Sequence, residues 1–151
     1  MTEMTEPTII TGASALRAAR LFNYLSIATT LLSASLYTLG QTLGNTKLAF
    51  LPLAMSLPPV MIWVAASMFV YAAIAHHPNL LARHYNKWAG YRYYAIIGLL
   101  TVAANDAAHW IGWGGIWAFF VIALVPWSMY DIWKAGREDW QDTIVEVEQY
   151  D

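Results

Sequence analysis

The sequence predicts an all-α fold: an integral membrane four-helix bundle with both termini on the cytoplasmic side and a short amphipathic tail. Three observations predict it. Hydrophobic residues make up 58% of the 151-residue chain and charged residues only 12%, roughly half the charged share of an ordinary soluble domain, about 25%. The apolar residues gather in four stretches long enough for a hydrocarbon core of about 30 Å, which takes about 20 helical residues. Charge is also segregated: no Asp or Glu occurs between Pro7 and Asn105, whereas six of the ten acids lie between Glu138 and Asp151.

The first span is expected at about 15–39, with Ser14 as cap and Gly40 as stop. Its Ser26, Thr29, Thr30, Ser33 and Ser35 are small and can bond back to carbonyls of the preceding turn. Such residues suit helix contacts better than lipid tails. The apolar run from Leu48 to Ala75 is broken by Pro52, Pro58 and Pro59. A proline pair fits a helix only near its first turn. The second span is therefore placed at 57–76, capped by Ser56, and residues 44–55 along the membrane surface.

The third span is expected at 90–110 and the fourth at 115–135, with a kink at Pro126. Only IGWGG joins them, which makes the two antiparallel neighbours. The tail at 137–151 carries Trp140, Ile144 and Val147 at helical spacing, so it reads as a cytoplasmic amphipathic helix. The alternation in TIVEVEQY offers a strand instead.

With four spans, Arg17, Arg20, Arg83, Lys87, Arg92, Lys134 and Arg137 fall on one side and Lys47 alone on the other. The positive-inside rule makes the crowded side cytoplasmic and assigns the chain to the cell membrane (inner or plasma) as a multi-pass protein. Aromatic belts agree: Trp110, Trp113 and Trp117 at the outer boundary; Trp88, Tyr91, Tyr93, Tyr94, Tyr130 and Trp133 at the inner one. The polar, acidic first dozen residues precede a run as long as a full span, so a cleaved signal peptide is not expected. The absence of cysteine excludes disulfides, thiolate metal sites and cysteine nucleophiles.

Four groups of polar residues are candidates for chemistry. Asp106 and His109 are three apart on one helical face, with Asn105 about 100° round from Asp106. They read either as proton, ion or metal groups or as an interfacial polar pair, since Asp106 lies about four residues, or about 6 Å, below the surface. His76, His77, His84 and Arg83 in HHPNLLARHYNKW, with Trp88 and Arg92, are candidates for a haem, a quinone headgroup or lipid headgroups. A bis-histidine haem needs imidazoles facing each other from different helices, which these positions do not offer within one chain. Asp131, about one turn inside the fourth span, calls for a cation, and Arg92 or Lys87 begins the third span at that side. Alanines 103, 104, 107 and 108 on the third span, and 65, 66, 72 and 73 on the second, form small faces for helix association.

Size, four spans and tryptophan richness resemble the tryptophan-rich sensory proteins, and length and span number resemble the small eicosanoid and glutathione enzymes of membranes. The proline–tryptophan pattern of the first and the charged glutathione motif of the second are absent here, so no residue roles carry over. The leading reading is a non-catalytic subunit of a larger energy-transducing or oxidising membrane complex, surrounded by lipid and either other membrane subunits or copies of itself, without nucleic acid. The alternatives are a small oligomeric channel or transporter using Asp106 and His109, and a haem- or quinone-binding redox subunit using the histidine loop.

Overall fold

The computed structural model describes residues 7–145 and is mostly helical. A short strand, β1 (Thr8–Ile10), leads into helix α1 (Gly12–Leu43). A 3-10 turn (Lys47–Ala49) and a six-residue helix, α2 (Phe50–Met55), fill the segment expected along the membrane surface. Helix α3 (Pro58–Ala75), helix α4 (Leu80–Ala135) and strand β2 (Thr143–Val145) complete the order. Two stretches, Lys47–Ala75 and Leu80–Ala135, are long and apolar enough to cross a membrane.

Local chemistry explains each boundary. Helix α1 starts three residues earlier than expected because Thr11, not Ser14, is its cap: the Thr11 hydroxyl accepts from the Ser14 N–H at 3.3 Å. It runs past Gly40 to Gly44, whose φ of 58° suits a residue without Cβ. Gly40 instead makes room for Leu53 of α2, whose side chain occupies the space a Cβ would take. Pro58 and Pro59 take the first helical positions of α3, where a missing N–H costs nothing. Ser56 does not cap that helix; its hydroxyl donates back to Leu53 O at 2.7 Å.

The largest departure is at the start of α4, ten residues before the expected position. Asn79 Oδ1 accepts from the N–H groups of Leu81 and Ala82 at 3.0 and 3.1 Å, and Ala82, Tyr85, Asn86, Ala89 and Tyr93 then bury one helical face. Most of the expected histidine loop is therefore helix.

Helix α4 breaks and changes direction within its length. Its one non-helical residue is Gly112, at φ 68° and ψ 167°, whereas the backbone remains helical through Pro126, the expected kink. A straight rod would hold Arg92 and Asp131 about 58 Å apart at about 1.5 Å per residue. They form an ion pair, and Ala82 and Ala135 share one packed cluster. The chain therefore doubles back at Gly112, and residues 80–111 and 113–135 are antiparallel arms of a hairpin. A positive φ is what glycine supplies at such a reversal.

Helix α1 lies against α3 and both arms. Its buried residues Ala15, Ala19, Ser26, Thr30, Ser33 and Gly40 are small, so neighbouring backbones approach closely. Phe22 is the large exception. Its ring meets Trp63, Tyr71, Tyr93 and Tyr94 edge-on at 5.3 to 6.4 Å between centroids, a geometry that favours the aromatic quadrupoles. Tyr93, expected in an interfacial belt, is fully buried, and Tyr94 packs on the same core with its hydroxyl 3.0 Å from Ser67 Oγ. Trp88, Tyr91, Tyr130 and Trp133 at one end, and Trp110 and Trp113 at the other, are exposed.

The two ends of the described chain meet. β1 pairs antiparallel with β2, Ile9 opposite Ile144, so the tail is a strand over Thr143–Val145 rather than an amphipathic helix. An extended segment needs a neighbour for its backbone N–H and C=O groups, and β1 supplies it; residues 146–151, including Val147, lie outside the described residues. Gly12 N donates to Asp142 Oδ1 at 2.7 Å and Trp140 Nε1 to Ala135 O at 2.6 Å. A Cβ on Gly12 would overlap the Trp140 carbonyl.

In this cysteine-free chain, Ile9→Cys/Ile144→Cys should form a disulfide on mild oxidation, because opposed strand residues lie within bonding reach, about 4.5–5.5 Å between Cα atoms. Adding Gly12→Ala should cut that yield severalfold on a non-reducing gel. An unchanged yield would mean that Trp140 does not pack on Gly12.

Candidate functional site

Polar chemistry concentrates at the end where the chain termini meet. Arg92 on the first arm and Asp131 on the second form an ion pair, with side chains 25% and 10% exposed. A carboxylate so enclosed needs a cation or a proton. Of the two cations the sequence offers to Asp131, Arg92 faces it; Lys87 lies over the Tyr91 ring, 5.6 Å from its centroid. Around this pair the termini and the α3–α4 connection are tied together. Tyr85 OH donates to Glu138 Oε1 at 2.9 Å, and Asn79 Nδ2 to Thr143 Oγ1 at 3.2 Å. Arg20 Nε donates to Ile132 O at 3.0 Å, closing the C-terminal turn of the second arm.

A row of polar side chains runs inward from that end. Asn23, Ser26, Thr30, Ser33, Ser67 and Asn86 are all buried. Trp63 Nε1 donates to Ser26 Oγ at 2.9 Å, and Asn86 Nδ2 to Tyr71 O at 3.0 Å. Among the described residues, Asn23 Nδ2, Thr30 Oγ1, Ser33 Oγ, Asn86 Oδ1 and Tyr93 OH have no hydrogen-bond partner. Asn23 and Asn86 went unnoticed in the sequence. The signal for Asn86 was its place in the periodic face of 82, 85, 86, 89 and 93.

At the opposite end α3 stands off from the hairpin. The gap is a cleft of about 510 Å³ between Val60 and Val64 on α3, Leu100 and Ala104 on the first arm, and Trp117 and Phe120 on the second. Asn105 and Thr101 are polar groups at its edge, but the Thr101 hydroxyl is already donated to Ile97 O at 2.8 Å. Its walls suit an apolar occupant.

Apart from Arg92 and Asp131, the residues that the sequence offers for chemistry do not converge on one site. Asp106 and His109 are both exposed, and the His109 ring lies 2.8 Å from the Asn105 carbonyl of its own helix rather than bonded to Asp106. His76 and His84 are exposed; His84 lies edge-on to Tyr85 and Trp88, while His77 Nδ1 accepts from Asn79 N at 3.1 Å. Among the described residues no three His, Asp or Glu side chains come together as a metal site. The alanine faces of α3 and the first arm are not buried in the chain: Ala65, Ala72 and Ala73 are exposed and Ala103, Ala104 and Ala107 half-buried. Comparison with family models, characterised proteins and solved structures finds no match.

Asp131→Asn should strand the Arg92 guanidinium and cost about 2–4 kcal/mol, below the full range for a buried pair because Arg92 retains some solvent. Arg92→Leu/Asp131→Leu should recover most of that loss, read as the unfolding midpoint in detergent; a double variant no better than the single would contradict the pairing. Thr30→Val replaces a buried, unpartnered hydroxyl with an isosteric methyl and should be neutral or stabilising by up to about 1 kcal/mol. A drop in the same midpoint would show that the hydroxyl is bonded.

Proposed function

We propose that this chain is an integral membrane subunit that crosses the bilayer four times, as α1, α3 and the two arms of α4, with both termini cytoplasmic. In this reading it is a non-catalytic packing component of a larger energy-transducing or oxidising complex in the cell membrane. One observation carries the reading: Asn23, Ser26, Thr30, Ser33, Asn86 and Asp131 share the interior with the aromatic core, while many large apolar side chains lie outside. Phe69 is 79%, Val102 83% and Trp110 89% exposed. Water would penalise that surface heavily, whereas lipid favours it, and interhelical bonds such as Trp63 to Ser26 and Asn86 to Tyr71 hold helices together there.

Burial supports the same reading. Only 22% and 17% of the most apolar windows of Lys47–Ala75 and Leu80–Ala135 are buried in the molecule, which is not how the core helix of a soluble domain behaves. Seven of the eight Lys and Arg residues belong to the end that holds the termini, as expected of a cytoplasmic face.

A partner is supported by what the chain leaves uncovered. Small residues draw membrane helices together, yet Ala65, Ala72 and Ala73 of α3 are exposed and Ala103, Ala104 and Ala107 of the first arm only half-buried, with Ala104 in the wall of the apolar cleft. The cleft is the proposed seat of a partner's transmembrane helix. The outward placement of Asp106 and His109 gives no support to an internal ion path, and the dispersed histidines give none to a haem shared within one chain.

Alkaline carbonate and high salt should leave the chain in the membrane pellet, and mild detergent should release it with other polypeptides in fixed ratio. Ala104→Phe, which fills the cleft, should remain in the membrane but lose them. Recovery in the supernatant without detergent refutes the membrane reading; purification as a single species, or an unaltered set of companions with Ala104→Phe, refutes the proposed seat.

A further inference from the structure

A second groove lies between α1 and the second arm, at the end that carries the termini. It measures about 710 Å³ and differs from the far-end cleft in having two guanidinium groups, Arg20 and Arg137, at its head. Below them it is walled by Tyr24, Ile27 and Leu31 of α1 and by Val125 and Met129 of the second arm.

Both cations are held in place. Arg20 is anchored by its Nε bond to Ile132 O, which leaves its terminal nitrogens as donors. Gly136 permits this approach, because a Cβ there would overlap the Arg20 guanidinium. Arg137 stacks on Trp133 with its guanidinium carbon 3.9 Å from the ring centroid, an arrangement that fixes the cation while leaving its edge free to donate. Among the described residues the one salt bridge is Arg92–Asp131, so neither groove arginine is matched there by a carboxylate.

The dimensions select the ligand. From Arg20 to Leu31 the wall of α1 climbs eleven helical steps, about 16 Å at about 1.5 Å per residue. Half of a hydrocarbon core of about 30 Å is about 15 Å. A forked donor pair suits a phosphate, which guanidinium groups bind through paired hydrogen bonds. An apolar trough one leaflet deep below it suits an acyl chain.

Resting on the membrane reading above, we propose that this groove is a binding site for one anionic phospholipid of the cytoplasmic leaflet, its phosphate between Arg20 and Arg137 and one acyl chain along Tyr24, Ile27 and Leu31. Trp133 forms the side of the headgroup pocket. The site orders a lipid at the junction of α1 and the C-terminal turn of the second arm, where the chain termini are also fastened.

The test begins with full-length protein reconstituted into neutral phosphatidylcholine vesicles and floated on a density gradient. Failure to float with them overturns the membrane reading and this site together. Floating protein is then released in mild detergent and incubated with phosphatidylglycerol or phosphatidylcholine of the same chains, and retained lipid is counted by native mass spectrometry. We expect phosphatidylglycerol to be retained at least fivefold better. Arg137→Gln and, because Arg20 also closes a helix, separately Leu31→Trp should each remove that preference, the second by blocking the acyl trough without changing charge. Lys47→Gln, the same charge loss at the far end, should leave it intact. Equal retention of the two lipids by the unaltered protein overturns the site alone, as does a preference that survives both Arg137→Gln and Leu31→Trp. Competition of millimolar inorganic phosphate with phosphatidylglycerol at equal concentration would mean an anion site without a lipid trough, and would also overturn it.

Discussion

Close approach to α1 is the constraint on which the rest of the architecture depends. The helix offers Ala15, Ala19, Ser26, Thr30 and Ser33 to its neighbours, and a side chain of ordinary size at those positions would push the other helices outward. Between helices in lipid there is little to gain from excluding water, so association rests on dispersion contacts and hydrogen bonds made at short range. The aromatic knot around Phe22 then fits into the one place where α1 becomes bulky, and the Trp63–Ser26 hydrogen bond holds α3 against the same face.

Charge and covalent connectivity reinforce each other at the opposite extreme from the Gly112 reversal. The Arg92–Asp131 pair bridges the open ends of the hairpin, where its arms would otherwise separate first. The paired strands fasten the chain termini beside it, and Arg20 ties α1 to the final turn of the second arm. Among the described residues the far end has no ion pair or strand pairing, and it is there that α3 leaves an apolar cleft open. The proposed partner helix therefore enters at the end that the chain itself leaves least consolidated, and the proposed lipid binds at the end that is most consolidated.

Helical character and the two apolar stretches were legible in the sequence because composition and proline placement act locally. The break between α3 and the segment before it followed from Pro58 and Pro59. The early start of α4 is hidden because His76, His77 and Arg83 give the segment the polarity of a loop, while the Asn79 cap and the small buried face behind it are weak signals one residue at a time. Tyr93 illustrates the same limit: an aromatic residue near an interface and one in a polar core look alike until the facing helix is known. The pairing of Asp131 was narrowed to two cations by helix order alone, but only the facing of the arms selects Arg92. Asp106 and His109 share a helical face by spacing, and no spacing argument could tell that the face points outward.

We propose that the apolar outer surface, and the polar row kept inside beside the aromatic core, belong to a molecule seated in lipid, with its termini and the α3–α4 turn at one face and its two remaining turns at the opposite face. The absence of native cysteine permits a direct measurement: single cysteines at Thr11, Asp139, Asn45 and Gly114, labelled in intact cells and in inverted vesicles with a membrane-impermeant maleimide. The account predicts that Asn45→Cys and Gly114→Cys react in intact cells, and that Thr11→Cys and Asp139→Cys react only in inverted vesicles. Labelling of Thr11→Cys and Asn45→Cys from the same face would contradict it.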